Sequence, residues 1–155
     1  MSAANILLSL MLSAASAGLS LAQDPQLGTW KLDEATSKIS SGSPKFTTVI
    51  NQKLGANVKV TLDGVAGDGK PLHNQWTGKF DGKDYPVTGD PNSDMRSYAR
   101  VDDRTLAVTV KKDGKVLASG RLIVSPDGKR RTVIESGTDA KGAKYSITTY
   151  YDRKE

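Results

Sequence analysis

The chain has 155 residues, with 22 Lys and Arg against 17 Asp and Glu, a formal net charge of +5, and no cysteine. The absence of cysteine excludes disulfides, lipid attachment through a cysteine and thiolate metal sites. His73 is the only histidine, so a histidine-rich metal centre is excluded as well. The length suits one domain that buries a core of its own.

Residues 1–22 have the pattern of a signal peptide. They contain no charged side chain, include the apolar run 6–12, and end in small residues at the −3 and −1 positions that signal peptidase accepts. We predict cleavage before Gln23, or after the similar small-residue site at 15–17, and hence a secreted or periplasmic domain spanning 23–155. A membrane anchor is disfavoured because the apolar stretch is short and interrupted.

A turn signature recurs along the rest of the chain. The tripeptide Asp-Gly-Lys occurs at 68–70, 81–83, 113–115 and 127–129, and a looser copy lies at 139–142. Asp-Gly supplies the positive φ angles that tight hairpin turns need, so the series predicts consecutive antiparallel strands.

The segments between these turns alternate apolar and polar residues, as half-buried strands do. Val58, Val60 and Leu62, for example, alternate with polar neighbours. The pattern predicts strands near 28–33, 46–53, 57–62, 73–80, 83–88, 96–102, 105–111, 115–124, 130–136 and 144–151. Closing such a series into a barrel removes its exposed edges. We therefore predict an all-β, single up-and-down antiparallel β-barrel of about 8 to 10 strands with little helix after the leader, and a two-sheet sandwich is the alternative.

The first and last strands carry a family resemblance. The domain opens with Gly28-Thr29-Trp30-Lys31-Leu32 and closes with a strand ending in Thr149-Tyr150-Tyr151-Asp152-Arg153-Lys154. This pairing resembles the lipocalin and fatty-acid-binding-protein superfamily. The resemblance implies that Trp30 plugs the closed end of the barrel and that Arg153 covers its ring in a cation–π contact.

The resemblance also implies a cargo site. In the fatty-acid-binding proteins an interior arginine on the eighth strand and an Arg-x-Tyr pair on the last strand hold a carboxylate. Arg121 and Tyr151 occupy similar places here, whereas Thr149 replaces the second arginine. This half-built clamp favours a neutral or weakly polar cargo over a free fatty acid. The connection 34–45 is too short for the two-helix lid of that family, which implies a mouth that is open or covered only by the loop 40–44.

The sequence predicts the orientation of some candidate side chains and leaves that of others open. Tyr145 and Tyr151 share a strand face with Ile147, and we predict that this face points inward. The strand around Arg121 has apolar residues on both faces, so its sequence fits an inward or an outward arginine. The aromatic residues either line a pocket or form ordinary core. The predicted ligand-binding set is Arg121, Tyr151, Trp76, Tyr98 and Tyr145, with Phe80 as a further lining residue.

Catalytic and nucleic-acid functions find little support. No Gly-x-Ser-x-Gly elbow and no glycine-rich phosphate loop occurs. The carboxylates Asp84, Asp102 and Asp103 lie next to turns, where aspartate usually accepts local hydrogen bonds and does not act as an acid catalyst. His73 could ligate a haem iron, but the chain lacks the motifs that accompany haem binding in related barrels. The basic cluster 129–131 alternates faces within a strand and forms no phosphate track. We therefore expect no enzyme activity, no cofactor, no metal and no nucleic-acid partner.

Two functions remain. We predict a monomer that binds a small apolar or amphipathic molecule inside the barrel, with its surplus positive charge giving loose attraction to anionic envelope surfaces. The alternative is an envelope protein-interaction or inhibitor module that acts through rim loops such as 89–94.

Overall fold

The structure, a computed structural model, describes residues 22–139 and 141–155. The predicted leader lies outside these ranges except for its last residue, so its cleavage stays a prediction. The chain forms eleven strands: β1 Gly28–Leu32, β2 Lys38–Ile39, β3 Lys45–Leu54, β4 Asn57–Val65, β5 Pro71–Gly78, β6 Tyr85–Thr88, β7 Met95–Asp102, β8 Thr105–Lys112, β9 Lys115–Val124, β10 Arg130–Thr138 and β11 Lys144–Lys154.

All strands except β2 form one closed antiparallel barrel. From β3 to β11 each strand pairs with its neighbour in sequence, and β1 closes the circle by pairing with β3 on one side and β11 on the other. The short β2 pairs with β11 at Ile147 and Thr148, beyond the end of β1. The predicted all-β barrel is therefore confirmed and the sandwich is wrong, whereas β2 was not predicted. The described ranges contain no helix, and hence none long and apolar enough to cross a membrane.

The repeated turns follow the chemistry of their sequence. In three of them the aspartate carboxylate accepts a hydrogen bond from the lysine amide two residues later, at 3.1 Å from Asp68, 3.0 Å from Asp81 and 3.0 Å from Asp127. Asp113 and Gly114 both have positive φ angles, of 49° and 76°, which suits a tight hairpin turn. The recurring turns thus mark where one strand ends and the next begins.

The strand directions give the barrel two ends. The closed end carries the segment 22–27 and the turns after β3, β5, β7 and β9, and the open end carries the loops 40–44, 66–70, 89–94, 113–114 and 139–143. Gln26 is fully buried at the closed end, where its side-chain nitrogen donates to the carbonyl oxygens of Arg104 at 2.9 Å and Leu122 at 3.3 Å. These bonds tie the segment before β1 across the base of the barrel.

Trp30 is the plug of the closed end. Its side chain is completely buried, and its indole N–H donates to the carbonyl oxygen of Gln26 at 3.2 Å. The Arg153 guanidinium lies 4.3 Å from the ring centroid. The same guanidinium donates to three backbone carbonyls, at 2.6 Å to Gly128, 2.5 Å to Leu27 and 2.6 Å to Pro25. Both the burial of Trp30 and its contact with Arg153 are confirmed.

Candidate functional site

The inner wall changes character from the closed end to the open end. Near the closed end and at mid-height, inward side chains such as Leu106 and Val108 are buried. Towards the open end, Leu62, Val110 and Ile147 alternate with outward residues in the same way but are only half-buried. The apolar side chains of the inner wall are therefore less completely covered towards the open end than at mid-height.

An aromatic cluster covers the inner wall formed by β5 and β7. The Trp76 ring lies 4.8 Å from the Tyr98 ring and 5.6 Å from the Tyr85 ring, both edge-on, and 6.2 Å from the Phe80 ring in a stacked arrangement. The indole N–H of Trp76 donates to the carbonyl oxygen of Arg96 at 2.8 Å. The predicted site residues Trp76 and Tyr98 thus face inward and are in direct contact.

A second group of interior residues is polar. The hydroxyl of Tyr145, a predicted site residue, donates to the Glu135 carboxylate at 2.9 Å. Burial raises the pKa of Glu135, while the Tyr145 hydrogen bond and the positive charge of Arg96 partly oppose the shift. The pKa of Tyr145 is raised above its usual range by burial and by the Glu135 charge. Arg96 itself is buried and donates weakly to the side-chain oxygen of Asn74 at 3.4 Å.

The deepest charged group is Arg131. Its side chain is 1% exposed, and its guanidinium carbon lies 4.9 Å from the Trp30 ring and 5.3 Å from the Tyr151 ring. Among the described residues, neither its Nε nor its Nη1 has a hydrogen-bond partner. Burial lowers the pKa of Arg131 to about 10, so the group is still a cation at neutral pH. The Tyr151 hydroxyl donates to the carbonyl oxygen of Phe46 at 2.9 Å.

The inward placement of Arg121 is wrong. Its strand neighbour Leu122 is buried against the core, so the alternation of β9 places the exposed Arg121 on the outer wall. There it stands beside Ala107 of β8 and Ile134 of β10 in the register of the sheet. The other four predicted site residues, Trp76, Tyr98, Tyr145 and Tyr151, face the interior.

The interior charged groups Arg131, Arg96 and Glu135 were missed. Arg131 stood in the sequence as one member of a basic cluster. The alternation of that strand requires one of two neighbouring arginines to face inward. Arg131 pairs with Tyr151 across the β10–β11 ladder, and Tyr151 was predicted to face inward. The pairing of Arg131 with the inward Tyr151 is therefore the signal that could have identified the buried arginine.

Two cavities lie outside the lumen. One, of about 460 Å³, sits at the rim of the open end and is lined by residues that include Glu34, Ser43 and Lys45. The other, of about 270 Å³, lies on the outer wall between β5 and β6. Within residues 22–139 and 141–155, no group of three or more His, Cys, Asp or Glu side chains could hold a metal ion.

The rim loop 89–94 is polar and internally bonded. The Asp90 carboxylate accepts from the Asn92 amide at 2.9 Å and from the Ser93 hydroxyl at 2.5 Å. Four large apolar side chains of the described residues are exposed, namely Leu54, Val101, Val116 and Ile134. Leu54 and Val116 lie beside turns at opposite ends of the barrel.

Comparison with known proteins supports the fold. The sequence matches no protein family profile and is not significantly similar to any curated protein. A solved structure described as EF1p2_mFAP2b bound to DFHBI is similar with a TM-score of 0.50 and 14% identity, over 84% of this chain and 94% of that chain. A redesigned beta barrel, mFAP1, bound to DFHBI, has a TM-score of 0.47 and 17% identity, over 85% of this chain and 100% of that chain. At 14% identity, the likeness to EF1p2_mFAP2b shows the fold alone.

Proposed function

We propose that the barrel binds a small apolar or amphipathic molecule in its interior. The observation that carries this proposal is the solvent-accessible apolar wall inside the open end, where Leu62, Val110 and Ile147 face inward and stay half-buried. A water-exposed concave apolar surface with a few polar groups deeper inside is the usual form of a small-molecule site.

The nature of the fold agrees with this proposal. A barrel with ten wall strands is wide enough to hold a ligand in addition to its own side chains. The structurally similar barrel described as EF1p2_mFAP2b is bound to DFHBI, so a barrel of this fold is able to hold a ligand. We infer the chemical class of this chain's cargo from the residues of its own inner wall.

The proposed role is carriage or storage without chemistry, by an exported monomer. Tyr145 donates a hydrogen bond to Glu135 at the inner wall, and burial raises the pKa of each group. Such a pair offers a polar contact for an atom of the cargo at the inner wall. Export follows from the leader pattern at 1–22.

Binding of N-phenyl-1-naphthylamine, an uncharged probe that fluoresces in apolar surroundings, tests the proposal. Ile147→Trp places a large ring on the inner wall near the mouth and is expected to abolish most of the fluorescence gain. Ser146→Trp is the matched control, because Ser146 is the adjacent exposed residue of the same strand. Equal binding by both variants, or no binding by the unaltered protein, would contradict an interior site.

A further inference from the structure

We propose that the cavity at the rim of the open end binds a small zwitterion, of the class of a free amino acid with an apolar side chain. The cavity measures about 460 Å³ and lies between the segment 34–45 and the turn 66–69. It is a different place from the interior of the barrel, so this proposal does not depend on the proposed function.

Both walls of the cavity are held in place. On one side, the Ser37 hydroxyl donates to the carbonyl oxygen of Asp33 at 2.7 Å and accepts from the Tyr150 amide at 2.9 Å, which ties the segment after β1 to β11. On the other side, Gly67 lies so close to the carbonyl oxygen of Gly42 that a side chain at position 67 has no room. The two walls therefore meet through backbone packing, and the cavity between them is preformed.

The two ionisable residues that line the cavity carry opposite charges. The Lys45 ammonium lies 2.6 Å from the Glu34 carboxylate. The Glu34 side chain is 65% exposed and the Lys45 side chain is 30% exposed, and an ion pair this open to water contributes little to stability. A ligand that separates the two groups therefore costs the protein little, because each group gains a new partner of opposite charge.

A buried hydroxyl and an apolar surface complete the lining. Ser43 is 7% exposed, and its hydroxyl oxygen has no hydrogen-bond partner among the described residues. A buried polar atom of this kind is uncommon and calls for a partner, either water or a ligand. Ile39, Val65 and Ala66 add apolar side chains to the lining. The cavity thus brings a cation, an anion, a hydroxyl and apolar contacts to one small molecule.

This arrangement disfavours a ligand with a single charge. A carboxylate that approaches Lys45 is repelled by Glu34 when it brings no cation, and an ammonium that approaches Glu34 is repelled by Lys45 in the same way. A zwitterion satisfies both groups at once. The side chain of an amino acid such as leucine then finds the apolar surface of Ile39 and Val65.

Titration with L-leucine, followed through the backbone amide signals of isotope-labelled protein in NMR spectra, tests the site. N-acetyl-L-leucine keeps only the carboxylate and L-leucinamide keeps only the ammonium, at a slightly acid pH where its amine is protonated. Leucine is expected to shift the amide signals of Gly67 and Gly69, which line the cavity. It should bind about fivefold to tenfold more tightly than either relative, because each relative loses one ion pair and keeps one repulsion.

Three variants assign the two charges. Glu34→Gln removes the anion of the site and is expected to abolish the preference for leucine over N-acetyl-L-leucine. Lys45→Met removes the cation and is expected to abolish the preference over L-leucinamide. Asp84→Asn is the matched control, because it breaks the exposed ion pair between Asp84 and Lys111, at 2.7 Å, away from the cavity. It is expected to change none of the three affinities, and the same spectra report whether each variant is folded.

The proposal is wrong if leucine causes no shift at 66–69 in the unaltered protein, or if the three ligands bind equally well. Shifts confined to inner-wall residues such as Val108 would place the amino acid in the lumen and would also overturn it. Leucine at the rim is not expected to displace N-phenyl-1-naphthylamine from the interior. Failure of interior binding and failure of the rim site are therefore separate results.

Discussion

Two arginines lie against the same indole ring, and replacing each should change stability in opposite directions. Arg153 and Arg131 lie 4.3 Å and 4.9 Å from the Trp30 ring. Arg153 donates to three backbone carbonyls, whereas Arg131 has two donor nitrogens with no partner in the described chain. Methionine keeps most of the apolar stem of either side chain and removes the guanidinium, so Arg153→Met and Arg131→Met form a matched pair.

The expected magnitudes follow from these contacts. One hydrogen bond to a charged group stabilises by about 1.5 to 3 kcal/mol, and the three bonds of Arg153 share one half-buried guanidinium and are not additive. Arg153→Met should therefore cost about 2 to 4 kcal/mol, more than a cation–π contact alone, which is worth about 0.5 to 1 kcal/mol at an exposed site. Replacing a buried ion pair by well-packed apolar groups of similar volume ranges from neutral to stabilising by about 1 to 4 kcal/mol, and an unpaired buried charge has no ion-pair attraction to lose. Loss of two ring contacts offsets part of this gain, so Arg131→Met should fall between no change and a gain of about 2 kcal/mol.

Urea unfolding followed by tryptophan fluorescence measures both differences without ligand. The midpoint of Arg153→Met should fall and that of Arg131→Met should stay or rise, with similar slopes. If the free energy of unfolding of Arg131→Met fell by more than about 1 kcal/mol, a loss larger than the ring contacts explain, the reasoning would be refuted. It would mean that the buried guanidinium is a stabilising part of the fold and that its charge is compensated within the chain.

The remaining predictions concern the plug, the interior carboxyl and the leader. Trp30→Ala should cost about 3 to 5 kcal/mol in the same urea assay, and a loss below about 1 kcal/mol would contradict the plug. The folded protein raises the pKa of Glu135, so it binds that proton more tightly than the unfolded chain and loses stability as the pH rises from the unfolded value through the raised one. Glu135→Gln should therefore be more stable than the unaltered protein at neutral pH, with a gap that closes in acid, and a constant gap would count against this. Exported protein should begin at Gln23, or near residue 18 at the alternative site, and an intact mass that retains Met1 would disprove cleavage.

Local chemistry made the fold predictable. The conformation of each Asp-Gly-Lys turn depends only on the few residues that form it. Asp113 and Gly114, for example, take the positive φ angles that this dipeptide predicts. Alternation then fixed the inner face of strands such as β8, where Leu106 and Val108 are buried. The strand β2 escaped prediction because its two residues pair only with β11, and no sequence period exists over so short a stretch.

The site was predicted only in part because facing depends on register. In β9, apolar residues stand on both faces, so alternation did not decide whether Arg121 or Leu122 pointed inward. The pairing of β9 with β10 decided it, and that pairing is a long-range property of the closed barrel. Arg131 escaped for the opposite reason, since a charged residue in a basic cluster is usually solvated, and only its position opposite Tyr151 reveals its burial.

The most direct test of interior binding is a crystal structure with 12-bromododecanoate, in which the bromine marks the tail by its anomalous signal. The bromine is expected inside the barrel, near the half-buried inner-wall positions that include Ile147. Bromine in the rim cavity beside Glu34 and Lys45, with no ligand inside the barrel, would contradict interior binding itself.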